Sequence, residues 1–318
     1  MENKSFIKVF IYFMLSLFSI NELQAQDFRK IDTIVAKYPT SFKEPKELAQ
    51  LIAADFKTES DQVRAVFFWI AINVNYNNEE KGKFDFEFSN ELEKVEKTQK
   101  RNKKLAKRVI QKGLAVCDGY ATLFDIVCDE LNIRAKKVVG ASKTKTSDIG
   151  KRFISDHAWN LVEIDSKKYL IDITWASQKN KNQDKLINNF YYLTPPNLFI
   201  KNHYPLEYND ALLDVLIPKD NFSKSPLFIS SKIEVIKPYE GQIKKTETTI
   251  IQFQFLFLDN SSVSSIVIKS GKNQLKIENF KVKNNLLKFE IDMKLLMKER
   301  EIIVMINGNE IVGYKLLN

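Results

Sequence analysis

Apolar residues recur at helical spacing in the first part of the chain and at alternate positions in the last hundred residues, and this change of period divides the sequence. Glu44 to Phe56 and Ser60 to Tyr76 read as helices. The second takes Ser60 or Asp61 as its cap and sets Val63, Val66, Phe67, Ile70 and Val74 on one face. A third begins at Cys117, after Gly113, with Ala121, Phe124, Cys128 and Leu131 along its buried side. Ala135 to Gly140 reads as a short strand, and residues 142–156 as a polar loop. HAWNLVEI (157–164) and KYLIDITW (168–175) are β-rich runs around Asp165, Ser166 and Lys167, the signal of a hairpin. Helices followed by strands, without βαβ alternation, predict an α+β layer structure.

Near Pro218 the period becomes two. IEVI (233–236), TIIQFQFLFL (249–258), SIVIKS (265–270), QLKIENF (274–280), LLKFEI (286–291), EIIVMI and EIVGYKLL read as about seven strands, the last two joined through Asn307 and Gly308. Ile251, Phe253, Phe255 and Phe257 alternate with Gln252, Gln254 and Leu256, as in a strand with one buried face. A small C-terminal β-sandwich of the immunoglobulin-like kind is expected. The expected domains are thus 26–218, with a core at 45–210, and 219–318.

Composition adds constraints. With 44% apolar residues the 318-residue chain has ample core, and its net charge of +9 favours anionic partners. Much of the excess lies in EKVEKTQKRNKKLAKRVIQK, residues 93–112, read as a solvated helix face or connector. If that run borders a substrate cleft, together with the loop 142–156, acidic peptide substrates are expected, and Lys103, Lys104, Lys107 and Arg108 would set the preference. No nucleic-acid-reading motif accompanies the charge. The first residues place Lys4 and Lys8 before an apolar run, residues 9–20, and a polar stretch ending in Ala25, the pattern of a cleaved secretory signal over 1–25. The run is too short to span a membrane, which needs about 20 residues. A periplasmic or secreted protein is expected.

The candidate chemistry begins with the two cysteines. On one helix, eleven residues apart, they stand roughly 16 Å from each other, too far for a disulfide. Cys128 reads as a small buried hydrophobe. Cys117 lies at the first turn, where the helix dipole favours the negative charge of a thiolate nucleophile. His157 opens the first hairpin strand. Asp172, between Ile171 and Ile173, would sit opposite Trp159 and diagonal to His157 on the same sheet face, where a carboxylate could orient the imidazole. Two histidines and two separated cysteines show no zinc spacing, so no metal or other cofactor is expected.

The blocks GLAVCDGYATLF, DHAWNLVEIDSKKYLIDITW and FYYLTPPNLFIKNHYP resemble the signature blocks of the transglutaminase-like superfamily, in the branch with kyphoscoliosis-peptidase-like and bacterial exported members. VRAVFFWIAINVNYN is similar to the helix that opens that domain. The resemblance implies a papain-like core in which Cys117 attacks an amide carbonyl, His157 moves the proton and Asp172 orients His157. It implies an acyl-enzyme resolved by water or an amine. The Cys117 N–H and, from the preceding helix, the Trp69 indole are the oxyanion candidates. His203 and Tyr204 are read as structural. A catalytically silent scaffold of the same fold, binding peptide or envelope polymer, is the competing expectation.

Overall fold

The computed structural model describes residues 28–77, 79, 91–179, 185–245 and 250–317. The expected export signal lies outside them, as do most of residues 77–90, whose sequence reads as polar and turn-rich. The chain divides into two compact units, Met1–Pro39 and Thr40–Asn318. In the first, a short helix α1 (Arg29–Val35) is closed by the Ala36 N–H bonded to the Asp32 carbonyl.

The second unit opens with α2 (Pro45–Asp55), whose Pro45 is pre-set for the first helical turn and whose Leu48 and Ile52 are buried. Helix α3 (Glu59–Asn73) is capped by Thr58, two residues before Ser60 and three before Asp61, the expected caps: its hydroxyl accepts from the Asp61 N–H at 3.2 Å. It also stops before Tyr76, because β1 (Asn75–Tyr76) leaves to pair in parallel with β2 (Leu114–Ala115). The basic run is a helix, α4 (Glu91–Lys112). Its Leu105, Ala106, Val109 and Ile110 are buried, and most of its lysines face outward. It packs on the central helix α5 (Cys117–Glu130), which also touches α2 and α3.

The other side of α5 rests on an antiparallel sheet begun by β3 (Ala135–Ser142), β4 (His157–Ile164) and β5 (Lys167–Ile171). Asp165 and Ser166 both take positive φ, 48° and 63°, so the hairpin turns in two residues and pairs Ile164 with Lys167. The second run was expected to continue as a strand to Trp175. It ends at Ile171, because Asp172 caps the short helix α6 (Ile173–Ala176), accepting the Trp175 N–H at 3.0 Å. Strands β6 (Ser177–Lys179) and β7 (Lys185–Ile187) then form a separate pair. Helix α7 (Pro196–Phe199) leads to β8 (His203–Pro205), which joins the sheet on the free edge of β3. Gly140 of β3 permits this: a Cβ there would collide with the Tyr204 carbonyl oxygen and the Trp159 ring.

Beyond α8 (Lys219–Lys224) lies the sandwich. Strand β9 (Leu227–Phe228) precedes β10 (Ile233–Lys237), β11 (Gln242–Lys244), β12 (Ile250–Phe257), β13 (Ile266–Ser270), β14 (Asn273–Lys276), β15 (Phe280–Lys283), β16 (Leu286–Asp292), β17 (Glu301–Ile306) and β18 (Asn309–Leu317). One sheet has the order β10-β12-β16-β15 and the other β11-β18-β17-β13-β14, with β9 on β18. Phe253, Phe255 and Phe289 from the first meet Ile268, Val304 and Tyr314 from the second in one buried core. Sequence periodicity misses β9 and β11, which are too short to alternate. It also reads QLKIENF as one strand, whereas the chain changes sheets there, from β14 beside β13 to β15 beside β16.

The polar loop after β3 is fastened to the sandwich. Buried Lys143 donates to the carbonyls of Phe222, Ser225 and Pro226 at 2.9–3.0 Å. The Thr146 hydroxyl donates to Glu301, and Lys315 donates to the Ile149 carbonyl at 3.2 Å. Thr146 packs where Gly313 of β18 carries no side chain.

Candidate active site

Four elements converge at one end of the central sheet. Cys117 is the first residue of α5, half-buried, with Val116 in the cap position and no side chain capping the turn. His157 starts β4, Asp172 follows β5, and His203 starts β8. The strand register explains the meeting: Gly140 pairs with His157 on one side of β3, and Ser142 with His203 on the other. Asn160, also on β4, ties the sheet to the nucleophile's helix by donating to the Ala121 carbonyl at 2.9 Å. Tyr120 anchors the same helix to the end of α3, its hydroxyl donating to the Val74 carbonyl at 2.8 Å.

Asp172 is wholly buried and accepts three N–H groups. His157 Nε2 and His203 Nε2 both meet Oδ2, at 2.7 and 2.9 Å, and the Trp175 amide meets Oδ1. Burial opposes its charge, but His157 and then His203 outweigh it and hold the carboxyl well below the usual range. A carboxylate only accepts, so both imidazoles donate from Nε2. For His157 this leaves Nδ1 as the ring atom available to Cys117, whose side chain interacts with the imidazole. Burial works against a charged imidazole there too, yet Asp172, and after it Cys117, push His157 up to about 10. His203 goes the other way: burial lowers it, and its bond to Asp172 only partly compensates. The neutral ring stacks on Phe199 at 4.1 Å between centroids and lies 4.2 Å from Trp175.

Of the residues read from the sequence, Cys117, His157 and Asp172 are thus gathered in one site. Cys128 is fully buried, and burial raises its thiol well above the ordinary value. Trp69 is buried in α3 against Phe42, with centroids 5.5 Å apart. His203 was read as structural and belongs to the site; a histidine next to Tyr-Pro within the third block was its only signal. Tyr76 was also missed. It pairs with Ala115, two residues before Cys117, and burial, and next the charge of Cys117, raise its phenol to about 12.

The expectation of no metal-ligand spacing counted both histidines along the chain but not the folding that brings His203 to the other two groups. With it, His157, Asp172 and His203 offer ligand atoms within 4.8 Å of one another, the group of this kind among the described residues. Both nitrogens, however, are engaged at hydrogen-bond distance by one oxygen. An ion held about 2.0–2.1 Å from each would break those bonds. The present geometry is that of a hydrogen-bonded cluster.

A buried carboxylate-oriented imidazole beside a cysteine at a helix start defines a papain-like thiol-enzyme framework. Residues 46–171 match the family model of the transglutaminase-like superfamily, and this segment is a transglutaminase-like domain. Among characterised relatives, it is 28% identical over 276 residues to the kyphoscoliosis peptidase of Homo sapiens, covering 80% of this chain and 39% of the human protein. The Mus musculus kyphoscoliosis peptidase is 28% identical over 252 residues, covering 73% of this chain and 35% of that protein. The chain therefore spans well under half the length of these relatives. Solved structures similar to it include a TGase, at 21% identity and a TM-score of 0.29 over 54% of this chain and 38% of the other. A proposed cysteine protease from Cytophaga hutchinsonii is 22% identical, with a TM-score of 0.28 over 47% of this chain and 42% of the other. Among the described residues no helix is long and apolar enough to cross a membrane.

Proposed function

We propose that the chain is an exported thiol-dependent acyl-transfer enzyme acting on peptide amides. The observation that carries this reading is the relay itself: the carboxylate of Asp172 holds one nitrogen of His157 at 2.7 Å while the other side of the ring serves Cys117. Cys117 Sγ forms a bond to the amide carbonyl carbon, His157 delivers a proton to the departing nitrogen, and the C–N bond breaks. Water or a second amine, giving a proton to His157, then adds to the thioester, and the C–S bond breaks to release the sulfur. The negative oxygen formed at each addition needs donors. The Cys117 N–H is one, since the first turn of a helix has no acceptors of its own. Tyr76, whose backbone pairs with Ala115 two residues before Cys117, is a further candidate beside the Trp69 indole, which packs on Phe42. The curated relatives are named peptidases, which agrees with amide chemistry.

The test is a peptide library incubated with and without an amine acceptor, comparing wild type with Cys117→Ala. Shortened or amine-conjugated peptides that vanish in the variant support the reading. Iodoacetamide at neutral pH should label Cys117 at least tenfold faster than Cys128. Equal labelling together with no turnover would leave a silent scaffold.

A further inference from the structure

Trp175, whose ring lies beside that of His157, also lines a cavity of about 500 Å³ between the central sheet and the sandwich, a volume ordinary for small-ligand pockets. Trp175 and Tyr191 form its inner end. Trp175 is half-buried, with its ring centroid 5.6 Å from that of His157, and Tyr191 packs on Trp175 at 5.5 Å. The far wall comes from the sandwich: Phe228, Ile229 and Ile303, with Glu301 and Glu310 at its polar margin. Lys143 also reaches this cavity, but its ammonium is already surrounded by backbone carbonyls.

Direction follows from the proposed chemistry. The acyl carbon is bound to sulfur, while the departing nitrogen takes its proton from His157 and so lies against the imidazole. The ring of Trp175 lies 5.6 Å from that of His157, so a segment that extends from that nitrogen over the imidazole reaches the inner end of the cavity. We infer that the cavity is the leaving-group subsite, and that the sandwich completes it to receive a peptide segment bearing a large apolar side chain. The three aromatic and two isoleucine side chains fit such a residue, and the two carboxylates on the sandwich wall outnumber Lys145, the other cation of the lining, so an acidic residue is disfavoured. This rests on the acyl-transfer reading. After the first product leaves, the same space admits the attacking amine.

The experiment uses the full chain and peptides identical up to the scissile bond, ending either in a small amide or in a segment that begins with Phe, Gly or Glu. The Phe segment is expected to raise kcat/KM at least tenfold over the small amide, with Gly intermediate and Glu no better than the amide. Ile303→Trp and Ile229→Trp, which fill the cavity, should bring the Phe-to-amide ratio down towards one. Val282→Trp, an exposed position on the other sheet, should leave it unchanged. Two filling variants guard against one that fails to fold. A ratio near one in wild type, or one that survives both fillings, overturns the subsite while small-amide turnover and fast Cys117 alkylation keep the enzyme reading intact. Loss of turnover on every peptide with slow alkylation overturns the enzyme reading, and the subsite with it.

Discussion

One carboxylate oxygen serving two imidazoles sets the chemistry of single residues here. Because His203 is neutral, its N–H adds a donor to Asp172 without adding a charge that would compete with His157. Removing a donor from a carboxylate makes it easier to protonate. His203→Leu is therefore expected to move the acid limb of the kcat/KM profile upward by about one pH unit, and His203→Gln, which can still donate, to restore it. A packing role alone would not shift that limb. The pair also marks stability. His157 rises from 6.5 to about 10 on folding, so its contribution is complete below 6.5 and is lost as pH climbs through 10. Asp172 is lowered from 3.8, so its contribution is present above that value and lost as pH falls below it. The thermal midpoint should carry a component that is greatest between pH 3.8 and 6.5 and declines on the alkaline side. Asp172→Asn should abolish that decline.

At the scale of elements, the site depends on how closely β8 approaches β3. Gly140→Ala would push a methyl group into the Tyr204 carbonyl, separating His203 from Asp172. A loss of about 2–3 kcal/mol is expected in urea unfolding, together with the shifted acid limb of His203→Leu. Much of this architecture is legible from pattern. The hairpin turn at Asp165 and Ser166 follows from the two flanking β runs, and with it the register that brings residue 172 near His157. The start of α5 at Cys117 follows from its apolar spacing. What is not legible depends on tertiary partners. Nothing local ends β5 at Ile171 rather than Trp175, since the cause is a capping bond made by the catalytic candidate itself. The placement of His203 needs the edge pairing of a three-residue strand, and three residues show no period. The basic run illustrates a third limit: charge hides the Leu105, Ala106, Val109 and Ile110 stripe that packs α4 against α5. Arg101 of that helix is bound to Asp118, beside the candidate nucleophile, so part of its charge is spent on structure.

At the scale of the whole molecule, the loop after β3, the segment 222–226 and the sheet containing β17 and β18 are joined by polar contacts that local pattern does not reveal. Lys143→Met keeps an unbranched side chain, one atom shorter, but removes the donor shared by three carbonyls, two of them in buried contacts. It should cost about 2–3 kcal/mol in unfolding experiments. It should also make the region around Trp175 easier to reach for proteases and quenchers, even where α5 and the hairpin stay folded.

The reach of Lys143 sets a practical boundary for anyone shortening the protein. A fragment ended at residue 218, where composition changes, would keep the cation and discard every carbonyl that shelters it. The minimal working piece must therefore run past Pro226, and a transplanted sandwich would have to bring its own anchorage for that lysine.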